Sequence, residues 1–267
     1  MAINIVINGV LGRMGKEIAH AVITDKEVVL RGCIERAGHP AVGADIGAFL
    51  GIEKTGVTIA PSLKEFSGNI DIVIDFTTPE STRSLLHEIQ GKVTGIVVGT
   101  TGLSECEMGL IKKVSGTHAV LYSPNMSMGV NFLFYLAQIA AERLGDDFDI
   151  EIIEAHHRYK KDSPSGTAKM LGEIVSRATG CSYNDAVKHG REGIVQERPA
   201  KQIGMHAVRG GDIVGDHTVL FAGIGERLEI KHCVHSRATF ARGAVRAAKW
   251  LHSQKPGLYS MRNVLGF

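Results

Sequence analysis

The chain reads as an α/β protein: a doubly wound, parallel sheet followed by a separate α+β domain with a sheet of its own. Three observations carry that reading. Short apolar, β-branched runs alternate with helix-patterned stretches through roughly the first 127 residues, as in a parallel sheet covered on both faces. The first of those runs meets three evenly spaced glycines. Further on, a long amphipathic helix leads into strands of two-residue periodicity, which suits a sheet with one covered face.

Residues 3–7 are apolar and mostly β-branched, a strand. Residues 14–22 carry Met14, Ile18, Ala21 and Val22 at helical spacing, and 28–34 form a second strand ending at Glu35. Strand, glycine turn, helix and strand make a βαβ unit. Downstream, 71–75 is a strand and 79–90 a helix with proline in its first turn; 95–98 is a strand, 104–114 a helix with Ser104 as N-cap, and 119–122 a strand. A sheet of this kind binds ligands at the carboxyl ends of its strands.

Residues 129–144 then place Leu133, Leu136, Ala137, Ala140 and Leu144 on one helical face. A strand at 150–155 and a helix at 167–179 follow, then strands at 205–209, 218–222 and 228–234. In the last, Leu228, Ile230, His232 and Val234 alternate with Glu229, Lys231 and Cys233. A final helix over 237–252 is patterned through Ala241, Ala244, Val245 and Ala248, and periodicity leaves open which domain it packs on. Stretches 36–56 and 181–203 read as irregular and polar, the second long enough to serve as a mobile loop over a site.

At 267 residues, 44% hydrophobic and 22% charged, the chain has ample apolar mass for one large or two modest globular domains. A formal charge of +2 is too small to argue for nucleic acid or an anionic membrane, and neither is expected as a partner. Cys33, Cys106, Cys181 and Cys233 are scattered without metal-ligand spacing and read as reduced thiols, and no metal is expected. The N-terminus lacks a secretory pattern and no apolar run reaches membrane-spanning length, so the expectation is a cytoplasmic protein. Neither GxSxG nor a Walker-type phosphate loop is present.

Four segments carry chemistry. In Gly9-Val10-Leu11-Gly12-Arg13-Met14-Gly15 the glycines between strand and helix let backbone amides approach a pyrophosphate. Glu35, 20 residues after Gly15, stands where a carboxylate accepts from adenosine ribose hydroxyls, whereas Arg36 and Arg13 suit a 2′-phosphate. NADH and NADPH both remain open, and the domain is Rossmann-type. Gly99, Thr100 and Thr101, in Val98-Gly-Thr-Thr-Gly102, can line a nicotinamide pocket or simply turn the chain. Ser123, Pro124, Asn125 and Met126 have the same placement and are equally suited to a hinge.

The third segment, Glu154-Ala-His-His-Arg158 through Thr167, is the densest. His156 and His157 offer groups that titrate near neutrality, and Lys160 can donate a proton or fix an anion. Ser165, Gly166 and Thr167 stand before a helix, whose positive end favours a carboxylate. A solvated basic loop would show the same composition. The fourth, Arg209-Gly-Gly-Asp212 to Thr218, reads as a shaped hairpin between strands with no assigned chemistry.

These motifs resemble the 4-hydroxy-tetrahydrodipicolinate reductases (dihydrodipicolinate reductases) of lysine and diaminopimelate biosynthesis along essentially the whole chain. The resemblance is carried by Gly12-Arg-Met-Gly15, Asp75-Phe-Thr77, Val98-Gly-Thr-Thr-Gly102, Asn125 and Gly129-Val-Asn131. It is strongest in Glu154-Ala-His-His-Arg158 with Lys160 and Asp162-Ser-Pro-Ser-Gly-Thr167, then in Arg209, Gly211-Asp-Ile-Val-Gly215 and His217-Thr218. It departs at Ser163, where alanine is usual, and at Met126, where phenylalanine is common.

The resemblance implies His156 as catalytic acid and Lys160 as proton donor, with His157, Lys160, Ser165, Gly166 and Thr167 holding substrate carboxylates. Gly9 to Met14, Glu35, Arg36, Gly99 to Thr101 and Ser123 to Met126 would surround NADH or NADPH. It further implies a dinucleotide domain over 1–127, rejoined by 238–267, a substrate-binding and oligomerisation domain with a mixed sheet over 128–237, and a homotetramer. The reaction implied is reduction of a small cyclic dicarboxylate, with domain closure bringing the hydride within reach. Two other readings stay open: a different NAD(P)-dependent reductase of a small carboxylated substrate, and a non-catalytic dinucleotide sensor.

Overall fold

Ile5, Val6 and Ile7 are all fully buried, as only a strand covered on both faces can be. The computed structural model describes every residue except Met1, Gln90 and Lys92. The chain begins with β1 (Ile3–Asn8), α1 (Arg13–Thr24), β2 (Val28–Ile34), α2 (Gly47–Leu50), β3 (Ile59–Ala60), β4 (Ile70–Asp75) and α3 (Pro79–Glu88). There follow β5 (Val93–Val98), α4 (Glu105–Val114), β6 (Ala119–Tyr122), α5 (Met128–Leu144), β7 (Asp149–His156), α6 (Gly166–Ala178) and α7 (Tyr183–Ala186). It ends with β8 (Val187–His189), β9 (Ile203–Arg209), β10 (Gly215–Ala222), β11 (Arg227–Val234), α8 (Ala238–His252), β12 (Gly257–Tyr259) and α9 (Met261–Leu265). The last residue of the helix expected over 79–90, Gln90, lies outside the described residues. Two compact units result, Met1–Met128 with Arg237–Phe267, and Gly129–Ser236.

In the first unit seven parallel strands run in the order β12-β6-β5-β4-β1-β2-β3. The order reverses at β1, the switch point where a doubly wound sheet opens its binding crevice. One face packs Ile18 and Val22 of α1 and Ala244, Ala248 and Leu251 of α8 against Ile5, Ile7, Ile72 and Ile74. The other packs Leu85 and Leu86 of α3 and Ile111 of α4 against Val6, Val73, Ile96 and Val98. This is the fold that the alternation of strands and helices predicts. The final helix, left unplaced by its periodicity, belongs here. Gly243 makes that possible: a Cβ there would stand 1.8 Å from the Met126 carbonyl oxygen, so only glycine lets the helix backbone come so near. Strand β12, unforeseen in the sequence, extends the sheet beside β6.

The second unit holds a five-stranded sheet, β11-β10-β7-β9-β8, in which β7, β9 and β8 run parallel and β10 and β11 antiparallel to their neighbours. Leu133 and Ala137 of α5 and Leu171 and Val175 of α6 cover one face, against Ile150, Ile152, Met205, Val219 and Phe221. On the opposite face Ile153 is 38% and Val208 49% exposed.

Two expectations are corrected here. The segment from Arg209 to Thr218 is no hairpin, because β9 and β10 are not neighbours; both pair with β7, and the connection crosses the carboxyl end of that strand. The stretches read as irregular are locally built: α2 and β3 lie in or beside the first, α7 and β8 within the second. Asp45 accepts from the amides of Gly47, Thr55 and Gly56, and Arg191 and Arg198 both reach Glu151, at 2.7 and 3.2 Å. Hydrogen bonds to particular side chains, within the first loop and from the second loop to β7, order these stretches, and periodicity does not register such bonds. No helix among the described residues is long and apolar enough to cross a membrane.

Gly243→Ala is expected to destabilise the first unit by about 1–3 kcal/mol, the usual cost of forcing an extra methyl into a packed contact. Thermal unfolding followed by circular dichroism reads this, and an unchanged midpoint would contradict the close helix packing.

Candidate active site

Side chains alternate along β7, so Ile150, Ile152, Glu154 and His156 all face the covered side. Two apolar positions fill the core and two polar ones, nearer the strand end, face what lies beyond it. Glu154 has no exposed surface. Its carboxylate accepts two hydrogen bonds from Arg209, both 2.8 Å, and one from the Ser165 amide at 3.0 Å. His156 Nδ1 lies 2.6 Å from the same carboxylate.

Parallel pairing sets Arg209 at the end of β9 directly beside His156. Its guanidinium also donates to the Asp162 carbonyl at 2.7 Å. The connection across the end of β7 is tied down from both sides: Gly210 donates to the His156 carbonyl at 3.0 Å, and Arg158 to that of Gly211 at 3.2 Å. The basic loop after β7 is therefore anchored, and Lys160 rests on Asp162 at 2.9 Å within it.

Helix α6 begins one residue earlier than the periodicity suggests, at Gly166. Ser165 is its N-cap and accepts from the Ala168 amide at 3.2 Å. The Ser165 hydroxyl also meets His217 Nε2 at 2.9 Å, and the His217 ring lies edge-on to His156 with centroids 5.2 Å apart. His157 Nδ1 is buried without a partner. The capped N-terminus of α6 and a lysine thus stand near one acid–base group, and the next residue, His157, keeps an unpartnered ring nitrogen.

Burial shapes the electrostatics. It is the largest influence on Glu154 and pushes its carboxyl up, but hydrogen bonds from Arg209, His156 and Ser165 outweigh it and leave the group below its usual range. For His156 burial again comes first and lowers the imidazole; the Glu154 carboxylate offsets this only in part, and Lys160 and Arg209 add to the lowering. His217 is pushed down to about 4, chiefly by burial and then by His156, so it is neutral at physiological pH.

In the first unit the turn after β1 is built for close approach. Gly9 has a φ of 73°, and a Cβ at Gly15 would stand 2.1 Å from the Gly9 carbonyl oxygen. No side chain caps α1 at Gly12, which leaves its first-turn amides open to an anion. Glu35 accepts from the Leu11 amide at 3.3 Å and lines a cavity of about 390 Å³ with Arg36, Thr78 and Ser81. A second cavity, about 490 Å³, is lined by Arg13, Met14, Gly99, Thr100, Thr101, Pro124, Asn125 and Met126. Uncapped amides at one helix end, an acid at the end of β2 and a cavity beyond β4 and β5 fit a dinucleotide. Gly9, Val10, Leu11 and Gly12 form the turn but line neither cavity; Val10 is a core residue and its amide is spent on the Ile34 carbonyl. Ser123 is also turned inward, its hydroxyl donating to the Asn125 carbonyl at 2.8 Å.

Behind the second cavity lies Asp75, fully buried at the end of β4. It accepts from Asn8, Thr77, Thr82 and Thr100, at 2.8, 2.7, 2.5 and 3.1 Å, and among the described residues no cation stands beside it. Burial drives its carboxyl up against those four hydrogen bonds. The cluster ties the ends of β1, β4 and β5 together beneath Thr77 and Thr100.

Sequence reasoning missed several members of both sites. Phe76, Thr77, Arg237 and Phe240 line the second cavity, and Glu154, Arg209 and His217 build the acid–base site. Spacing was one signal, since Glu154 and His156 are two apart in a strand and must share a face; Glu154, Arg209 and His217 also stand among the residues that carry the family resemblance.

The family model for the N-terminus of dihydrodipicolinate reductase matches residues 3–126, and that for its C-terminus residues 129–265. The chain is 48% identical over 262 residues to the 4-hydroxy-tetrahydrodipicolinate reductase of Hahella chejuensis, covering 98% of each. It is 47% identical to that of Thiobacillus denitrificans over 266 residues, covering 100% of this chain and 99% of the relative. Among solved structures, a dihydrodipicolinate reductase from a Paenisporosarcina species with dipicolinate bound superposes with a TM-score of 0.77. It shares 24% identity and covers 98% of this chain and 99% of its own. An amine dehydrogenase from Mycobacterium smegmatis shares the fold at a TM-score of 0.58 and 15% identity, covering 98% of this chain and 95% of its own.

The depressed His217 has a consequence for stability. The unfolded chain takes up a proton there near pH 6.5, the folded chain only near 4. Between those values the unfolded state binds more protons, so stability falls as the pH is lowered. Urea unfolding at neutral pH and at about pH 5 should show that loss, and His217→Gln should reduce it. Equal losses in both proteins would show that His217 is not a source.

Proposed function

The chain belongs to the dihydrodipicolinate reductase family, and we propose that it reduces 4-hydroxy-tetrahydrodipicolinate to tetrahydrodipicolinate with NADH or NADPH. The observation that carries this reading is the convergence at the end of β7. One imidazole, His156, is held by a charged carboxylate that also holds the Ser165 amide at the start of α6, with Lys160 on the adjoining loop. A dianionic substrate needs cations and amide donors; a substrate that accepts hydride also needs a proton.

His157, Lys160, Ser165, Gly166 and Thr167 hold the carboxylates, through the helix end and the lysine charge. His156 is the acid, and Lys160 delivers or relays a proton. The glycine turn and the residues of the second cavity would hold the nicotinamide cofactor, which would supply a hydride. One hydride and one proton enter and one water leaves, so the balance requires an acid on the protein side. The chemistry requires the nicotinamide held by the first unit to meet the substrate held by the second.

Glu35 favours the unmodified ribose and Arg36 a 2′-phosphate, and with both at one strand end the enzyme uses either cofactor. The open face of the mixed sheet, with Ile153 and Val208 exposed in the single chain, is where copies associate into a homotetramer. The reading places the enzyme in the cytoplasm, where reduced nicotinamide cofactors and biosynthetic intermediates are found.

The test is loss of nicotinamide absorbance with substrate generated enzymatically from pyruvate and aspartate semialdehyde. Oxidation of both cofactors is expected, and Arg36→Ala should raise the KM for NADPH while sparing NADH. His156→Ala and Lys160→Ala should each lower kcat by about 100-fold or more with cofactor binding retained. Cofactor binding without turnover in the wild type would instead identify a sensor. Sedimentation velocity should show a tetramer that Val208→Glu dissociates; a wild-type monomer would remove the assembly from this reading.

A further inference from the structure

Resting on the reductase reading, we infer that Glu154 and Arg209 are positioning residues that confine proton exchange at His156 to a single ring nitrogen, Nε2. Each Glu154 oxygen is engaged by two partners: Oε1 by Arg209 and the Ser165 amide, Oε2 by Arg209 and His156 Nδ1. An ionised carboxylate has only acceptors. With the bidentate guanidinium holding it ionised, His156 Nδ1 must carry a hydrogen whether the ring is neutral or cationic. The neutral ring is therefore the Nδ1–H tautomer, and the proton that comes and goes is on Nε2.

The surroundings keep that nitrogen available. A Cβ on Gly215 would stand 3.0 Å from Nε2, so the glycine that opens β10 leaves this edge of the ring clear of a side chain. That gives a purpose to a segment whose composition alone had suggested only a turn. The charged and titratable groups around the ring come from each neighbouring element: Glu154 from β7, Arg209 from β9, His217 from β10 and Lys160 from the loop. Glu154 is the only one of them that favours the imidazolium. Arg209 and Lys160 oppose it, and His217 is neutral.

When imidazolium Nε2–H gives its proton to the substrate, the ring becomes the neutral Nδ1–H form. The hydrogen bond to Glu154 persists and no proton moves onto the carboxylate. Solvent restores the Nε2 proton for the next cycle.

Two measurements test this. Nitrogen NMR of histidine-labelled wild type, assigned with a His156→Asn sample, should show above its titration a protonated Nδ1 and an unprotonated Nε2. The opposite tautomer overturns the inference, and this arm needs neither turnover nor a foldable charge variant. In parallel, Glu154→Gln removes the one charge favouring imidazolium. Its kcat should fall by on the order of 10-fold or more, and the high-pH limb of its rate profile should move down by about one unit or more, with the KM for NADH unchanged. A lower kcat with an unmoved limb would mean a structural role only. Absence of substrate-dependent oxidation in the wild type would sink the reductase reading and leave the tautomer result standing.

Discussion

Much of the second unit depends on one buried charge pair. A carboxylate with no exposed surface stays ionised only if its partners replace the water it has lost, and removing one partner of such a pair typically costs about 3–5 kcal/mol. Glu154 meets that demand with Arg209, the Ser165 amide and His156. Each partner brings an element with it: β9 and the connection to β10, the start of α6, and the end of β7. Through the Asp162 carbonyl Arg209 also holds the basic loop. The placement of Lys160, the cap of α6 and the orientation of His156 all follow from how this carboxylate is satisfied.

Asp75 makes the contrast. It too has no exposed surface, but its four partners are neutral side chains, and its carboxyl moves up where that of Glu154 moves down. Burial opposes ionisation in both; Asp75 lies deeper and meets only neutral donors, whereas Glu154 has a guanidinium and an imidazole beside it. The two acids suit different tasks. Asp75 knits three strand ends beneath a cavity, whereas Glu154 provides a fixed negative charge next to a group that must change its own.

Most of the architecture was legible in the sequence because period and punctuation are local. Burial on both faces wrote apolar runs at β1, β4 and β5; the alternation read in β11 does not mark a fully covered face, since Leu228 is 45% exposed. Expectation and structure part where distant residues meet. β9 and β10 look like a hairpin in sequence because five residues join them, yet β7 lies between them. The loops held by Asp45 and Glu151 carry no periodic signal, since hydrogen bonds to particular side chains order them.

By itself, the sequence determined the fold class, the glycine turn followed by an acid at Glu35, and the histidine–lysine segment before α6, all of which follow from residue type and short-range spacing. The tertiary structure supplied what periodicity left open and the family resemblance implied, that α8 rejoins the first unit, through a close backbone contact at Gly243. It also decided that Arg209, 55 residues from Glu154, is the partner that keeps that carboxylate charged. Such pairings arise from sheet order and burial, which depend on the whole chain folding, and no local pattern encodes which distant side chain will arrive.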